Sequence, residues 1–415
     1  MAWSFGLAVA SAAAVACSAL VGVEDVRLGR PADGGAAESG KRPQSPGNDG
    51  AAPGEASVQL ALGYLHTCAR KGDGKVSCWG DNGAGQLGDG IPFDGGARAP
   101  ALVPQGVPGI DDAVKLASGV SHSCVVRRSG TVSCWGINTS GQLGRASVPR
   151  SSSPVDVVGI TTAVDIACGT SFTCALLMGG TVSCWGANSS GQLGDGTKVE
   201  RATAAPVSQL TDVTSLAAAE SHACAIVIGG AVKCWGRNTD GQLGNGTTVD
   251  SLVPTALGTL SGVAQIVAAS HFTCARLISG QLNCWGTNAD GQLGTGTSSI
   301  APNPTPAITK VSDAIAVSVG YTHACAVRRT GDVACWGAAG SGQVGSGQVP
   351  ADASVPSPAA VLGVTGALDV STGGDHSCAM TGTGAVLCWG NNVFGQLGDG
   401  TTKGAYAAVP VMTFP

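Results

Sequence analysis

Cysteine is the most reactive side chain in this sequence, and fourteen of its sixteen cysteines share one spacing. Cys-x9-Cys pairs Cys68 with Cys78, Cys124 with Cys134, Cys174 with Cys184, Cys224 with Cys234, Cys274 with Cys284, Cys325 with Cys335 and Cys378 with Cys388. A glycine stands six residues after the first cysteine of each pair, as Gly74 and Gly130 do. That is where a three-residue hairpin loop wants its left-handed residue. With Arg128-Ser129-Gly130 as a loop, Arg127 faces Thr131 and Cys124 faces Cys134. Directly opposed residues carry Cβ atoms about 4.5–5.5 Å apart, which modest adjustment brings within disulfide reach. The chemistry expected is one disulfide stapling one hairpin, seven times over. Such bonds persist outside a reducing cytosol. Cys168 has no mate at this spacing. It fills a slot held elsewhere by Leu62, Ser118, Ala218 and Ala268, and is expected as a buried, inert thiol.

Other chemistry-bearing residues are weighed against the same repeat. His66, His122, His222, His323 and His376 stand two residues before a first cysteine, but Phe172 and Phe272 hold that place in the third and fifth copies. A shared metal or catalytic role would not tolerate phenylalanine there. The expectation is a turn histidine bonded to the neighbouring loop. His271 is out of register and expected to be exposed. Asn82, Asn138, Asn188, Asn238, Asn288 and Asn392 are read as caps of their own turns. Asp89, Asp195 and Asp399 begin Asp-Gly turns, but Arg145, Asn245, Thr295 and Ser346 at the equivalent places oppose a repeated calcium site. The Gly-Gln-Leu-Gly segments lack the strand–helix context of a phosphate loop. No catalytic residue, metal or cofactor is expected.

The elements that position these residues recur with the tripeptide Cys-Trp-Gly, at Trp79, Trp135, Trp185, Trp235, Trp285, Trp336 and Trp389. The steps of 56, 50, 50, 50, 51 and 53 residues define a repeat architecture. Each copy holds four strand-sized pieces. The first is rich in small residues and suits the crowded inner end of a blade. The second and third form the stapled hairpin. The fourth usually carries proline and belongs at a sheet edge. The fold class expected is all-β, a seven-bladed β-propeller of four-stranded antiparallel blades over residues 58–415, with one hairpin disulfide per blade. The terminal strand around Val409-Pro410-Val411 is expected to close the ring against the first blade. The first and third loops of every blade must emerge at one end. Variable aromatic and charged residues there, Tyr64, Glu220, Arg237, Asp240, His271, Asp290, Tyr321 and Phe394, are the candidate binding rim.

The motif Gly-x-x-His-[Ser/Thr/Ala]-x-Ala, followed by Gly-x-Val-x-x-Trp-Gly-x-Asn-x-x-Gly-Gln-Leu-Gly, resembles the regulator of chromosome condensation repeat. The resemblance covers roughly residues 58–415 and implies a seven-bladed propeller without implying one activity. Relatives include a nucleotide exchange factor for a small GTPase, chromatin binders, ubiquitin-ligase modules and a secreted bacterial inhibitor of β-lactamases. This chain departs from the nuclear members in its export-type start, its paired cysteines and its lack of a basic tail.

Residues 1–23 read as an export signal, and Ala14-Val15-Ala16-Cys17 resembles a bacterial lipoprotein box, which makes Cys17 the expected lipidation site; ordinary signal cleavage is the alternative. Residues 24–57 are rich in Pro, Gly, Ala and charge without an apolar period, and read as a disordered linker. Such a chain reaches about 30–35 Å. A net charge of −5 without a basic stripe opposes nucleic-acid binding. The expectation is a monomeric, exported, non-catalytic scaffold, a bacterial surface lipoprotein or a secreted protein. It would bind an unknown protein or glycan through one rim. The rival is a hydrolase or lyase whose central channel gathers three or more ionisable groups. Guanine nucleotide exchange and chromatin binding come behind both.

Overall fold

In the computed structural model, every Cys-x9-Cys segment is an antiparallel hairpin with its cysteines directly opposed. All seven expected disulfides are present. Cys68 is bonded to Cys78, Cys124 to Cys134, Cys174 to Cys184 and Cys224 to Cys234. Cys274 is bonded to Cys284, Cys325 to Cys335 and Cys378 to Cys388. The Cα atoms of each pair lie 4.0–4.1 Å apart. The expected tip is found too: Arg127 N donates to Thr131 O, Gly130 N donates to Arg127 O, and Gly130 has φ +82°. Closing each short loop is worth about 2.8 kcal/mol in the chain-entropy description. The structure describes residues 58–94, 98–146, 148–348 and 352–413. The signal, the linker and Cys17 lie outside the described residues.

Each hairpin gains one strand on either side. In blade one the strands are Gln59–Leu62, His66–Arg70, Val76–Gly80 and Ala101–Gly106. Seven such four-stranded sheets form in chain order, each with its first strand innermost and its fourth outermost. Proline falls in the outer strands, as Pro104, Pro154, Pro206, Pro254, Pro356 and Pro410 do, where a missing N–H leaves no ladder bond unmade.

The Cys-Trp-Gly tryptophan locks neighbouring blades. Each indole is fully buried, and its Nε1–H donates to a Gln carbonyl of the preceding blade at 2.9 Å, from Trp79 to Gln396 and from Trp135 to Gln86 onward around the ring. That carbonyl belongs to Gly-Gln-Leu-Gly, so the segment is a socket for the next blade's indole. Its last glycine must be glycine: Gly88 has φ +66°, and a Cβ there would lie 2.8 Å from the Trp135 ring.

Ring closure differs from the expectation. Ala405–Pro410 pairs within its own blade, with Leu387 opposite Pro410 and Cys388 opposite Val409. Each repeat supplies its four strands contiguously, so none is left over to cross the seam. Side chains close the ring instead: Val58, Leu60 and Trp79 of blade one pack with Met380, Val386 and Leu397 of blade seven.

The inner strands line a cavity of about 230 Å³, walled by residues such as Ala61, Ser118, Ala167, Cys168, Ala218 and Ser318. Several of their inner backbone edges are bonded by side chains of a neighbouring blade. The Gln59 amide donates to Leu116 O and accepts from Leu116 N, both at 3.1 Å, and Gln265 clamps Val317 in the same way.

Candidate functional site

The repeated histidines form a buried belt between blades. Nε2 of His66, His122, His222, His323 and His376 lies 2.8–3.0 Å from the hydroxyl of Ser123, Thr173, Thr273, Ser377 and Thr67 respectively. The partner is therefore the next blade's second strand, not a neighbouring loop. Each hydroxyl in turn donates to a Gln backbone carbonyl, so it must accept from Nε2–H. Burial drives these imidazoles down to about 3, and to about 4 for His122, because a charged ring is not solvated there. Where Phe172 and Phe272 replace histidine, Ala223 and Ala324 replace the facing hydroxyl. Polar faces polar and apolar faces apolar, which is the signature of packing.

The remaining repeat residues are structural as well. Asn82 Oδ1 accepts from Leu87 N, and its equivalents cap their turns in the same way. Asp89 pairs with Arg98 at 2.6 Å and Asp195 with Arg201 at 3.1 Å. Cys168 is buried, and desolvation pushes its thiol up to about 12. His122 and Cys124 lie close to it, but Cys124 is held in its disulfide with Cys134, so this group lacks a third free metal ligand.

At the mouth of the channel the repeat breaks down. The first loops of all seven blades ring a cavity of about 120 Å³ that includes Tyr64, Glu220, Ser270 and Tyr321. Six of the eight rim candidates converge there or beside it. His271 Nε2 lies 3.2 Å from Glu220 Oε2, and its Nδ1 lies 2.6 Å from Asp240 Oδ2. Arg237 reaches Asp240 Oδ2 at 3.6 Å and Glu220 Oε1 at 4.0 Å. Tyr321 OH donates to Glu220 Oε2 across the mouth at 3.5 Å. Tyr64 meets Tyr321 edge to face, with centroids 5.4 Å apart. First-loop and third-loop residues thus share one end, as the strand parity requires.

His271 is half-buried rather than exposed, and blade five shows why. Its first loop is a two-residue turn with Ala269 paired to Phe272, and Ser270 sits at φ +35°, a region that non-glycine residues seldom occupy. That turn swings His271 between two carboxylates. Both ring nitrogens face acceptors, so the imidazolium is favoured. The bond to Glu220 raises His271 above its usual value and outweighs burial, with Asp240 adding to it. The same bond lowers Glu220. Tyr64 is raised by burial and by the nearby Asp375 carboxylate, itself raised by burial.

This arrangement can hold an ion-paired group rigidly and offer aromatic faces beside it. In the imidazolium form both ring nitrogens of His271 donate, one to Glu220 and one to Asp240, so the ring is held as a donor between two acceptors. Among the described residues, no side-chain hydrogen bond or ion pair joins Asp290 or Phe394 to this network; like Asp240, each donates its backbone N–H to its own blade's Gln side chain. Ser270, which donates to Glu220 at 3.3 Å, and Thr239, which accepts from Arg237 Nε at 2.8 Å, went unread in the sequence. The available signal was the displaced histidine in Ala269-Ser270-His271-Phe272.

Similarity to known proteins agrees with this architecture. The rat "Probable E3 ubiquitin-protein ligase HERC4" is 40% identical over 89 residues, 21% of this chain and 8% of that protein. The mouse "Secretion-regulating guanine nucleotide exchange factor" is 35% identical over 117 residues, 24% of this chain and 25% of that one. The chain thus spans a quarter or less of these relatives. Prp20p from Saccharomyces cerevisiae, which binds Gsp1p and histones, superposes with a TM-score of 0.72 at 22% identity, over 86% of this chain and 88% of its own. A regulator of chromosome condensation (RCC1) repeat matches residues 368–396. With the RCC1-like domain matching residues 20–362, the chain belongs to the RCC1-like domain family.

Proposed function

We propose that this propeller is an exported interaction scaffold that takes a protein or glycan partner at the channel mouth, without catalysis. The observation that carries this is the convergence of Glu220, Arg237, Asp240, His271, Tyr64 and Tyr321 at one end of a ring whose other positions repeat. Ion pairs preset the polar groups, and tyrosines give contact area at small entropic cost. Seven disulfides and the Cys17 box support a site outside the cytosol, with the lipid on Cys17 as the proposed anchor. The same features weigh against guanine nucleotide exchange, the activity in one relative's name, and against chromatin. The test is a comparison of wild type with Glu220→Gln and Tyr64→Ala as baits, on envelope extract and on a glycan array. Retention of every partner by both variants would refute the mouth as the binding site.

The enzyme reading has one observation of its own, the carboxylate–imidazole–carboxylate run at the mouth. Turnover of hydrolase or lyase substrates that disappears in His271→Asn would establish it over the scaffold.

A further inference from the structure

The end opposite the mouth has a different chemistry. Inner strands run toward the mouth, so the described chain begins, at Val58, on the far face. The hairpin tips lie on that face as well. One tip position is equivalent in six blades, because its N–H donates to the carbonyl of the segment leading into the same blade's inner strand: Arg128, Met178, Ile228, Ile278, Arg329 and Gly382. Blades three, four and five fill it with Met178, Ile228 and Ile278, which are 70%, 57% and 77% exposed. Blades two and six fill it with Arg128 and Arg329, both exposed.

A groove of about 570 Å³ on this face runs from Arg70, past Lys115, Arg127 and Arg128, to Val164 and Met178. Carboxylates share this face: Asp112 is paired with Arg127, Asp313 with Arg328 and Asp73 with Lys75, while exposed Asp111, Asp212 and Asp332 stand between the tips. Arg128 and Arg329 extend beyond these pairs at either end of the apolar arc.

We propose that the far face docks on an anionic phospholipid bilayer. Repeat symmetry places the tips at one height around a ring, so a flat surface can meet all of them together. Three apolar tips would enter the headgroup–acyl boundary, while Arg128 and Arg329 at the ends of the arc meet lipid phosphates. A folded protein partner would need three separate pockets at blade spacing. Val58, on this face, lets a tether running from the membrane join the propeller without crossing the mouth, which then points outward. The inference stands without the lipid anchor and without the mouth's partner.

The experiment is vesicle flotation of the full chain carrying Cys17→Ser, which cannot be acylated, with phosphatidylcholine alone and with added phosphatidylglycerol. Binding is expected with phosphatidylglycerol only, weakening as salt rises. The triple change Met178→Asp, Ile228→Asp and Ile278→Asp should weaken it about tenfold or more. The double change Arg128→Gln with Arg329→Gln should also weaken it, while Glu220→Gln leaves it unchanged. All of these tip side chains are exposed, and circular dichroism with a count of free thiols checks that the variants fold. Absence of binding, equal binding to both vesicle types, or indifference to both sets of substitutions would overturn the proposal. So would vesicle binding that dextran sulfate abolishes while the tip substitutions do nothing, which would make the groove a site for soluble polyanions. Self-association that the tip substitutions relieve, without vesicle binding, would assign the face to a second copy of the chain.

Discussion

Histidine occupies two environments in this propeller. In the belt, His222 donates to Thr273 and is stripped of water, so its charged form is disfavoured. At the mouth, His271 lies between Glu220 and Asp240, so its charged form is favoured. The two rings come from adjacent blades, yet they carry opposite instructions about protonation. The belt histidines obey the repeat and serve packing. His271 departs from it by one residue and serves the surface. In a chain built from copies, departure from the copy is a better guide to a site than residue type.

The largest expected consequence is acid lability. Belt histidines have folded values near 3 to 4 against an ordinary 6.5. Below about 6.5 the unfolded chain binds protons that the folded chain cannot. Each belt histidine then removes up to about 1.4 kcal/mol of stability per pH unit until its folded value is reached. Urea midpoints should fall steeply between pH 6.5 and 4. A flat profile would break the contrast, because it would mean that the belt rings already carry charge.

Substitution of one belt pair comes next. His222→Ala removes a fully buried ring and leaves a void, at a cost of about 2–4 kcal/mol. The double change His222→Phe with Thr273→Ala should recover most of that loss, because Phe172 with Ala223 and Phe272 with Ala324 already make the same exchange at two other interfaces. It should also soften the acid transition. Thermal unfolding of the single and double variants measures both effects, and additivity of the two changes would mean that the residues are not a pair.

These belt contacts were written in the sequence but not legible from one repeat at a time. Cys-x9-Cys with Gly130-type turns sufficed for the hairpins, because partner and spacing lie within one copy. Strand parity sufficed to put Glu220 and Arg237 at one end. The His–hydroxyl pairing requires each histidine to be compared with the residue before the next blade's cysteine, 51–57 positions away in four cases and 309 where His376 meets Thr67. Asp290 and Phe394 were indistinguishable from Asp240 in sequence, since all three sit in third loops. What separates Asp240 is His271 across the blade boundary, brought there by a turn that no other blade uses.

At the mouth the effects are smaller and run the other way with pH. Because the folded value of His271 is raised, its stabilising contribution is complete below about 6.5 and is lost as pH rises through that folded value. Glu220→Gln removes the carboxylate that does most to raise it, although the Asp240 contact is the shorter of the two at 2.6 Å against 3.2 Å. Its titration, followed by imidazole proton shifts, should move down toward the ordinary value, with a change in stability of no more than about 1 kcal/mol. Asp240→Asn should move it less. If neither substitution moves it, the mouth does not differ from an ordinary surface histidine.

The smallest effect isolates the turn itself. Ser270 holds φ +35°, which costs a non-glycine residue on the order of 1 kcal/mol, and Ser270→Gly relieves it. Two losses oppose that relief. Glycine has more freedom to lose on folding, by about 0.5–1 kcal/mol. The hydroxyl bond to Glu220 disappears as well, from a carboxylate oxygen that also accepts from His271 and Tyr321. The terms nearly cancel, so stability should stay within about 0.5 kcal/mol of wild type. His271 should nevertheless titrate lower, because a freer turn no longer pins its ring between Glu220 and Asp240. Unchanged stability with a lowered His271 titration would show that the strained backbone serves orientation rather than folding, whereas an unchanged titration would mean that the two carboxylates place the ring unaided.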